Sequence, residues 1–182
     1  MELTETEILR QVLAGRTDAY GEIFSRHRGR AYGLAFQYLR NKEDARDVVQ
    51  EAFIKAFQNL GKFQLDKEFC AWLLTIVRNL SIDLLRRRRK ISGEGLPDSM
   101  SDPGSRQKTE RKVLQKEIWE ALDRLSPSHR EIIFLKDYQG HSYQEISGIV
   151  GIPLGTVMSR LHHARKNFIS LLGGGNHEMR AN

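Results

Sequence analysis

Near the end of the chain, five side chains able to bond to nucleic acid fall at spacings that put them on one helical face. A guanidinium can bond to O6 and N7 of guanine together, so Arg160 is the best candidate for reading a base directly. Hydroxyl, imidazole and ammonium groups suit base edges or phosphates. The alternative is the solvated face of an ordinary helical hairpin. The five residues are Thr156, Ser159, Arg160, His163 and Lys166.

The charge around these residues has one sign. No acidic residue occurs from 146 through 177, while Arg160, Arg165 and Lys166 carry positive charge suited to phosphate contact. Over the whole chain of 182 residues, Lys and Arg number 29 against 23 Asp and Glu, and the isoelectric point is near 9.6. This balance favours a polyanionic partner, with nucleic acid ahead of an anionic membrane surface.

Two short helices separated by a tight turn are predicted to position the five side chains. Ser142 and Glu145 form a capping box that opens the first helix, and Gly151 ends it. After a turn at Pro153, a second helix is expected to bury an apolar face. These are the parts of a helix-turn-helix, whose second helix enters the major groove of DNA. The buried face of that helix consists of Val157, Leu161, Ala164 and Phe168.

The first 90 residues carry four more helical patterns, and no stretch alternates apolar and polar residues as a strand would. A capping box at Thr4 opens the first helix, and Asp18 begins the second. Asn41 caps the third, and Phe69 begins a fourth that ends in the basic run 86–90. The sequence therefore predicts an all-α fold with one compact helical domain over residues 1–90.

A change of composition divides the chain. Residues 91–110 are rich in Gly, Pro, Ser and Asp and are predicted to be a flexible linker. Helical patterns resume over residues 111–173, where Pro127 after Ser126 suits the first turn of a helix. Residues 174–182 are predicted to be a disordered tail. The expected architecture is two small helical domains joined by a flexible linker.

The sequence contains no pattern typical of an enzyme, a cofactor site or a membrane protein. It has no strand-linked glycine loop, no nucleophile and base together and no paired carboxylates. The single cysteine, Cys70, excludes an internal disulfide and a zinc site of several thiolates, and is expected to be a small buried side chain. With no long apolar run and no signal-peptide pattern, we expect a soluble cytoplasmic protein without membrane insertion.

Two segments together resemble the extracytoplasmic-function (ECF) sigma factors of the sigma-70 family. The first is DARDVVQEAFIKAFQNL at 44–60, followed by the helix expected over 69–83; the second is GTVMSRL at 155–161. The resemblance covers roughly residues 5–172. It implies a sigma region 2 helical bundle and a sigma region 4 helix-turn-helix. The implied function is to bind core RNA polymerase, read the -35 and -10 promoter elements and stabilise the melted -10 strand.

The resemblance places the core polymerase contact on the third predicted helix, where relatives bind the β′ clamp helices. An acidic and amide-bearing face on a basic protein would pair with a basic protein surface and repel DNA. The alternative is that these acidic residues only complement the dipole at the start of the helix. This explains Asp44, but it explains Glu51, two turns later, only weakly. The residues assigned to this contact are Asp44, Asp47, Gln50, Glu51 and Lys55.

The resemblance also places -10 recognition on the fourth helix and the loop before it. Unpaired bases can stack on aromatic rings, each contact contributing about 1 to 3 kcal/mol, or bond to amides. Phe69 and Trp72 also fit core positions, and the core is favoured for Trp72. The run 86–90 is either a dipole-compatible helix end or, as we prefer, a phosphate contact. The residues assigned to -10 DNA are Phe63, Asp66, Lys67, Phe69, Arg78, Asn79, Arg86 and Arg87.

Region 4 of relatives reads the -35 element and contacts the β flap of the polymerase, and an anti-sigma factor often holds relatives inactive. Whether an anti-sigma factor acts on this chain stays open. Met158 stands where relatives often have a basic residue, and His162-His163 replaces bulkier or more basic pairs. Promoter preference therefore cannot be transferred. The rival hypothesis is a stand-alone helix-turn-helix repressor or activator, and an enzyme acting on nucleic acid is third.

Overall fold

The computed structural model describes residues 3–92 and 110–178, and the regular structure in these ranges is helical throughout. The all-α prediction is confirmed. Two compact units are built mainly from the first four helices and the last four. The predicted linker lies outside the described residues except at its ends. The helices are α1 (Glu5–Leu13), α2 (Tyr20–Leu39), α3 (Lys42–Gln58), α4 (Phe69–Ser92), α5 (Glu110–Asp123), α6 (Pro127–Ile133), α7 (Tyr143–Val150) and α8 (Leu154–Glu178).

In the first unit, α2, α3 and α4 pack together around an apolar core. Asn41 caps α3, because its Oδ1 accepts hydrogen bonds from the backbone N–H groups of Glu43 and Asp44 at 2.9 and 3.1 Å. The Tyr20 hydroxyl donates to the Phe53 carbonyl at 2.9 Å and ties α2 to α3. Large core side chains with no exposed surface are Ile23, Leu34, Phe69, Leu73, Leu74 and Val77.

Helix α1 is fastened to α2 by polar contacts at its first turn. Thr4 and Glu7 form the predicted capping box, and the Glu5 carboxylate bonds to Nε2 of His27. His27 is 8% exposed. Burial opposes its charged form, but contacts with Cys70 and Glu5 outweigh burial and raise the pKa of His27 to about 9. Cys70 is buried, as predicted.

We predict that the first unit becomes less stable as the pH rises from 6.5 to 9, because His27 loses the proton that its contacts with Cys70 and Glu5 stabilise. The pKa of His27 is about 9 in the folded chain and 6.5 for a free histidine, so the folded state binds the extra proton between these values. The stabilisation is complete below pH 6.5 and is lost as the pH rises through 9; the pKa difference corresponds to about 3 kcal/mol. Urea unfolding followed by Trp72 fluorescence, in a Trp119→Phe background, measures it. His27→Asn should abolish most of this pH dependence, and an undiminished dependence would contradict the assignment.

In the second unit, α6 and α5 pack against α8. Ser126 caps α6 by accepting from the His129 N–H, and Pro127 follows at the first helical position, as predicted. A π-helical turn, Phe134–Tyr138, extends α6. Helix α8 runs to Glu178 and so extends into the segment predicted to be a disordered tail. Glycines at 173–175 lower helix propensity but, unlike proline, keep the hydrogen-bonding N–H group. Residues 179–182 lie outside the described part.

Candidate nucleic-acid and polymerase interfaces

Helices α7 and α8 form the predicted helix-turn-helix. The Ser142 N–H donates to the Glu145 carboxylate at 2.6 Å, and the Glu145 N–H donates to the Ser142 hydroxyl at 3.2 Å. Gly151 has φ of 72°, a left-handed conformation that favours glycine. The Ser147 hydroxyl donates to the Ile152 carbonyl at 2.6 Å and so bridges α7 to the turn. The sequence did not indicate this last bond.

The five predicted base-reading residues do share the outer side of α8, opposite the buried side chains of Val157, Leu161 and Ala164. Ser159, His163 and Lys166 are exposed, whereas Thr156 and Arg160 are partly exposed. In the described part of the chain, the Arg160 guanidinium has no recorded hydrogen bond or ion pair. An unpaired guanidinium at the start of the second helix is free to bond to a base edge.

Two features of α8 differ from expectation. Arg165, predicted as a phosphate contact, instead bonds to Asp137 of the π-helical turn, with Nε to Oδ2 at 3.1 Å. Its charge is therefore partly neutralised within the unit. Met158 is 52% exposed and Leu154 is 42% exposed near the start of α8. Exposed apolar side chains here can contact the methyl group of thymine, a role that helical spacing did not indicate.

Three aromatic rings form a cluster where α4 begins. Phe63 stacks on Trp72 with ring centroids 4.9 Å apart, and Phe69 meets both rings edge to face. Phe69 has no exposed surface, so its assignment to DNA contact is corrected: Phe69 supports the other two rings from below. Trp72, assigned to the core, is only partly buried, as is Phe63. These two rings are therefore the ones that a base can reach.

A stripe along α4 continues from this cluster. Trp72, Asn79 and Arg86 are spaced by seven residues, which is nearly two helical turns, so the three side chains line up about 10 Å apart. Asn79 and Arg86 are exposed. We name this row of three side chains the α4 stripe. Of the other residues assigned to the -10 element, Asp66, Lys67 and Arg87 are exposed, and Arg78 is partly buried.

One residue of the predicted polymerase face on α3 is bonded to another helix. Asp47, Gln50 and Glu51 are exposed, and Glu51 forms an ion pair with Lys55 at 2.9 Å, the two side chains being 53% and 47% exposed. Such exposed pairs contribute little and open readily. Asp44, in contrast, is bonded to Arg88 of α4 through both carboxylate oxygens. We name Asp47, Gln50 and Glu51 the acidic face of α3.

An apolar groove of about 460 Å³ lies between α2 and α3 beside this face. Phe24 of α2 is 37% exposed at the groove. Gln50 belongs both to the groove and to the acidic face of α3, so the two surfaces are continuous. The groove is lined by Phe24, Arg28, Gly29, Tyr32, Arg46, Val49 and Gln50.

Within residues 3–92 and 110–178, no group of three or more His, Cys, Asp or Glu side chains is arranged to hold a metal ion. No helix in the same ranges is long and apolar enough to cross a membrane. The centroids of the adjacent His162 and His163 rings are 5.5 Å apart.

Comparison with known families identifies both units. Residues 23–91 match the model of sigma-70 region 2, and residues 115–168 match that of sigma-70 region 4. The chain is 37% identical to the ECF sigma factor SigE of Mycolicibacterium smegmatis over 81% of this chain and 59% of SigE. It is 31% identical to the ECF sigma factor SigW of Bacillus subtilis, over 91% of this chain and 95% of SigW. For CarQ of Myxococcus xanthus the identity is 30%, over 87% of this chain and 92% of CarQ.

Solved structures agree with these relatives. The sigma factor RpoE of Bartonella quintana, determined with the anti-sigma factor NepR, superposes with a TM-score of 0.71 and 25% identity, over 85% of this chain and 96% of RpoE. CnrH, determined with the cytosolic domain of CnrY, gives the same score and identity, over 93% of this chain and 97% of CnrH. The chain therefore belongs to the ECF sigma factors of the sigma-70 family.

Proposed function

We propose that this chain binds core RNA polymerase through the acidic face of α3 and directs initiation at promoters read by two DNA-binding surfaces. The α4 stripe binds the melted -10 strand, and α8 reads the -35 element. In this proposal residues 1–90 form the polymerase-binding and -10 domain, residues 91–110 the linker, and residues 111–173 the -35 domain. Because core polymerase and promoter DNA are cytoplasmic, the chain acts in the cytoplasm, without catalysing a reaction itself.

The charge and shape of α3 support the polymerase contact. On a protein of net charge +6, two exposed carboxylates and an amide would repel DNA phosphates and complement a basic protein surface. The groove beside them can receive an apolar side chain of the same partner. We place that partner at the β′ clamp helices. The β flap contact falls on the second unit.

The α4 stripe supports binding of a separated strand rather than a duplex. The exposed part of the Phe63–Trp72 pair offers a ring face for stacking, Asn79 can bond to a base edge, and Arg86 can bond to a phosphate. The three groups follow each other at about 10 Å along α4. A single strand that stacks first on the rings can therefore continue along the helix.

The observation that carries the proposal is that one chain combines the exposed acidic face of α3 with the α4 stripe and with the exposed polar and basic side chains of α8. In vitro transcription with purified core polymerase and a promoter library tests it. We expect weak DNA binding by the chain alone and specific initiation only in the presence of core polymerase. A stand-alone regulator would give the opposite result, with tight operator binding and no association with core polymerase.

We also infer control by an anti-sigma factor. RpoE and CnrH, both similar in structure to this chain, were determined with the anti-sigma factor NepR and with the cytosolic domain of CnrY. A protein that covers the acidic face of α3 or the α4 stripe would prevent initiation without altering the fold. Such a partner would compete with core polymerase for this chain.

A further inference from the structure

Asp44 and Arg88 join the first turn of α3 to the last turns of α4. The two guanidinium nitrogens of Arg88 lie 2.7 and 2.6 Å from the two carboxylate oxygens of Asp44. The pairing is bidentate, which fixes the direction of the guanidinium as well as its distance. The side chain of Asp44 is 17% exposed and that of Arg88 is 48% exposed. The carboxylate of Asp44 is thus already committed inside the unit.

This pair joins α3 to a part of α4 that is less buried than the preceding turns of the helix. Among the side chains of α4 that the structure describes, the last buried one is that of Ser81; residues 82–85 are partly exposed and 86–90 are exposed. Arg86 forms its ion pair with Asp83 of the same helix. Within the described part of the chain, Asp44 is the residue on another helix with which the segment 82–90 forms hydrogen bonds and an ion pair. Helix ends without such contacts fray.

The pair also sets which way the other cations point. Successive residues of an α-helix are rotated by about 100°. With Arg88 turned toward α3, Arg86 and Lys90 fall about 160° away from it, on the opposite side of α4. Arg87 and Arg89 fall about 100° to either side. The four remaining cations of the run therefore fan out over the surface that faces away from α3.

We propose that Asp44 is a positioning residue for promoter DNA rather than a polymerase contact, because its pairing with Arg88 holds the basic run 86–90 beside the melted strand. The inference rests on the proposed function of the α4 stripe. It reassigns one residue of the predicted polymerase face and gives Arg88 a different role from its neighbours. Arg86, Arg87, Arg89 and Lys90 contact phosphates, and Arg88 orients them.

If only net charge mattered, removing the Asp44 carboxylate would strengthen DNA binding, whereas the proposal predicts weaker binding. This difference makes the proposal testable. Removal of the Asp44 carboxylate makes the chain more positive and releases Arg88, so general attraction to DNA should increase. If Asp44 positions the run, its removal lets the end of α4 move, and binding of the melted strand should weaken.

The experiment uses the full chain bound to core RNA polymerase and a forked promoter DNA with a single-stranded -10 element. For Asp44→Ala we expect affinity for the forked DNA to fall about fivefold, with a smaller salt dependence of binding, while affinity for core polymerase is unchanged. Asp44→Glu, which keeps the carboxylate, should restore much of the loss. Arg88→Ala should give the same loss as Asp44→Ala, and the double variant should be no weaker than either single variant.

Comparing Asp44→Ala with a matched variant, Arg87→Ala, separates the possible outcomes. Arg87→Ala removes an exposed cation of the same run and should weaken binding of the forked DNA. If Arg87→Ala has no effect, the proposed DNA role of α4 fails. If Arg87→Ala weakens binding but Asp44→Ala strengthens it or leaves it unchanged, only the positioning role is overturned. A loss of core polymerase affinity in Asp44→Ala would return Asp44 to the polymerase contact and also overturn the proposal.

Discussion

Replacing Asp47 and Glu51 together by lysine is expected to reduce affinity for core RNA polymerase at least about 100-fold. Like charges brought together across an interface cost several kcal/mol, and a loss of about 3 kcal/mol corresponds to that ratio. Both side chains are exposed, so the fold should survive. Lysine at position 51 would lie beside Lys55, which adds only about 0.2 to 0.5 kcal/mol of repulsion within α3. Binding of a fluorescently labelled chain to purified core polymerase measures the change.

Asp18→Lys/Glu22→Lys is the matched control for this double variant. It makes the same change of charge on two exposed carboxylates that are also four residues apart, but outside α3. We expect core polymerase affinity to change little, because general attraction between the proteins is screened at physiological salt. Equal losses in both double variants would show that the effect arises from net charge, and no loss in either would remove α3 from the interface.

Replacing Arg160 by alanine is expected to weaken binding at one position of the -35 element by about 1 to 3 kcal/mol, which is roughly a fivefold to 150-fold loss. A guanidinium that bonds to O6 and N7 of guanine discriminates among base pairs, so the variant should also accept other base pairs there. Affinity for -35 duplexes substituted at each position, measured with the variant and the unaltered chain, tests this. Equal losses on matched and scrambled DNA would contradict base readout by Arg160.

Two neighbouring cations serve as controls for Arg160. Lys166 is exposed and has no recorded ion pair in the described residues, so Lys166→Ala should weaken binding to all sequences alike and reduce the salt dependence by about one phosphate contact. Arg165 is bound to Asp137, so Arg165→Ala should leave the sequence preference unchanged. Its main cost should be stability, at most about 1 kcal/mol for an exposed pair.

Local features of the fold could be predicted because their causes lie close together in the sequence. The capping boxes at Thr4 and Ser142 each depend on two residues three apart, and both are present in the structure. The inward face of α8 follows from helical spacing: Val157, Leu161 and Ala164 are buried as predicted, whereas Phe168 is only partly buried. Helix existence and the helix-turn-helix were thus readable from the residues alone.

Contacts between distant residues could not be predicted in this way. Asp44 and Arg88 are separated by 44 residues, and Asp137 and Arg165 by 28, so only the packed fold brings each pair together. Helical spacing also does not rank neighbouring aromatic residues by depth. For that reason Phe69 was assigned to DNA, although it is the innermost ring of its cluster, and Trp72 was assigned to the core, although part of it is accessible.

The two sides of α8 have separate roles, one in the core of the second unit and one at its surface. Val157, Leu161 and Ala164 are buried, while Ser159, His163 and Lys166 on the outer side are exposed. Substitutions on the outer side can accumulate without loss of folding, which leaves promoter choice free to diverge among gene duplicates. The same separation would allow this protein to be retargeted to new promoters by exchanging only a few side chains.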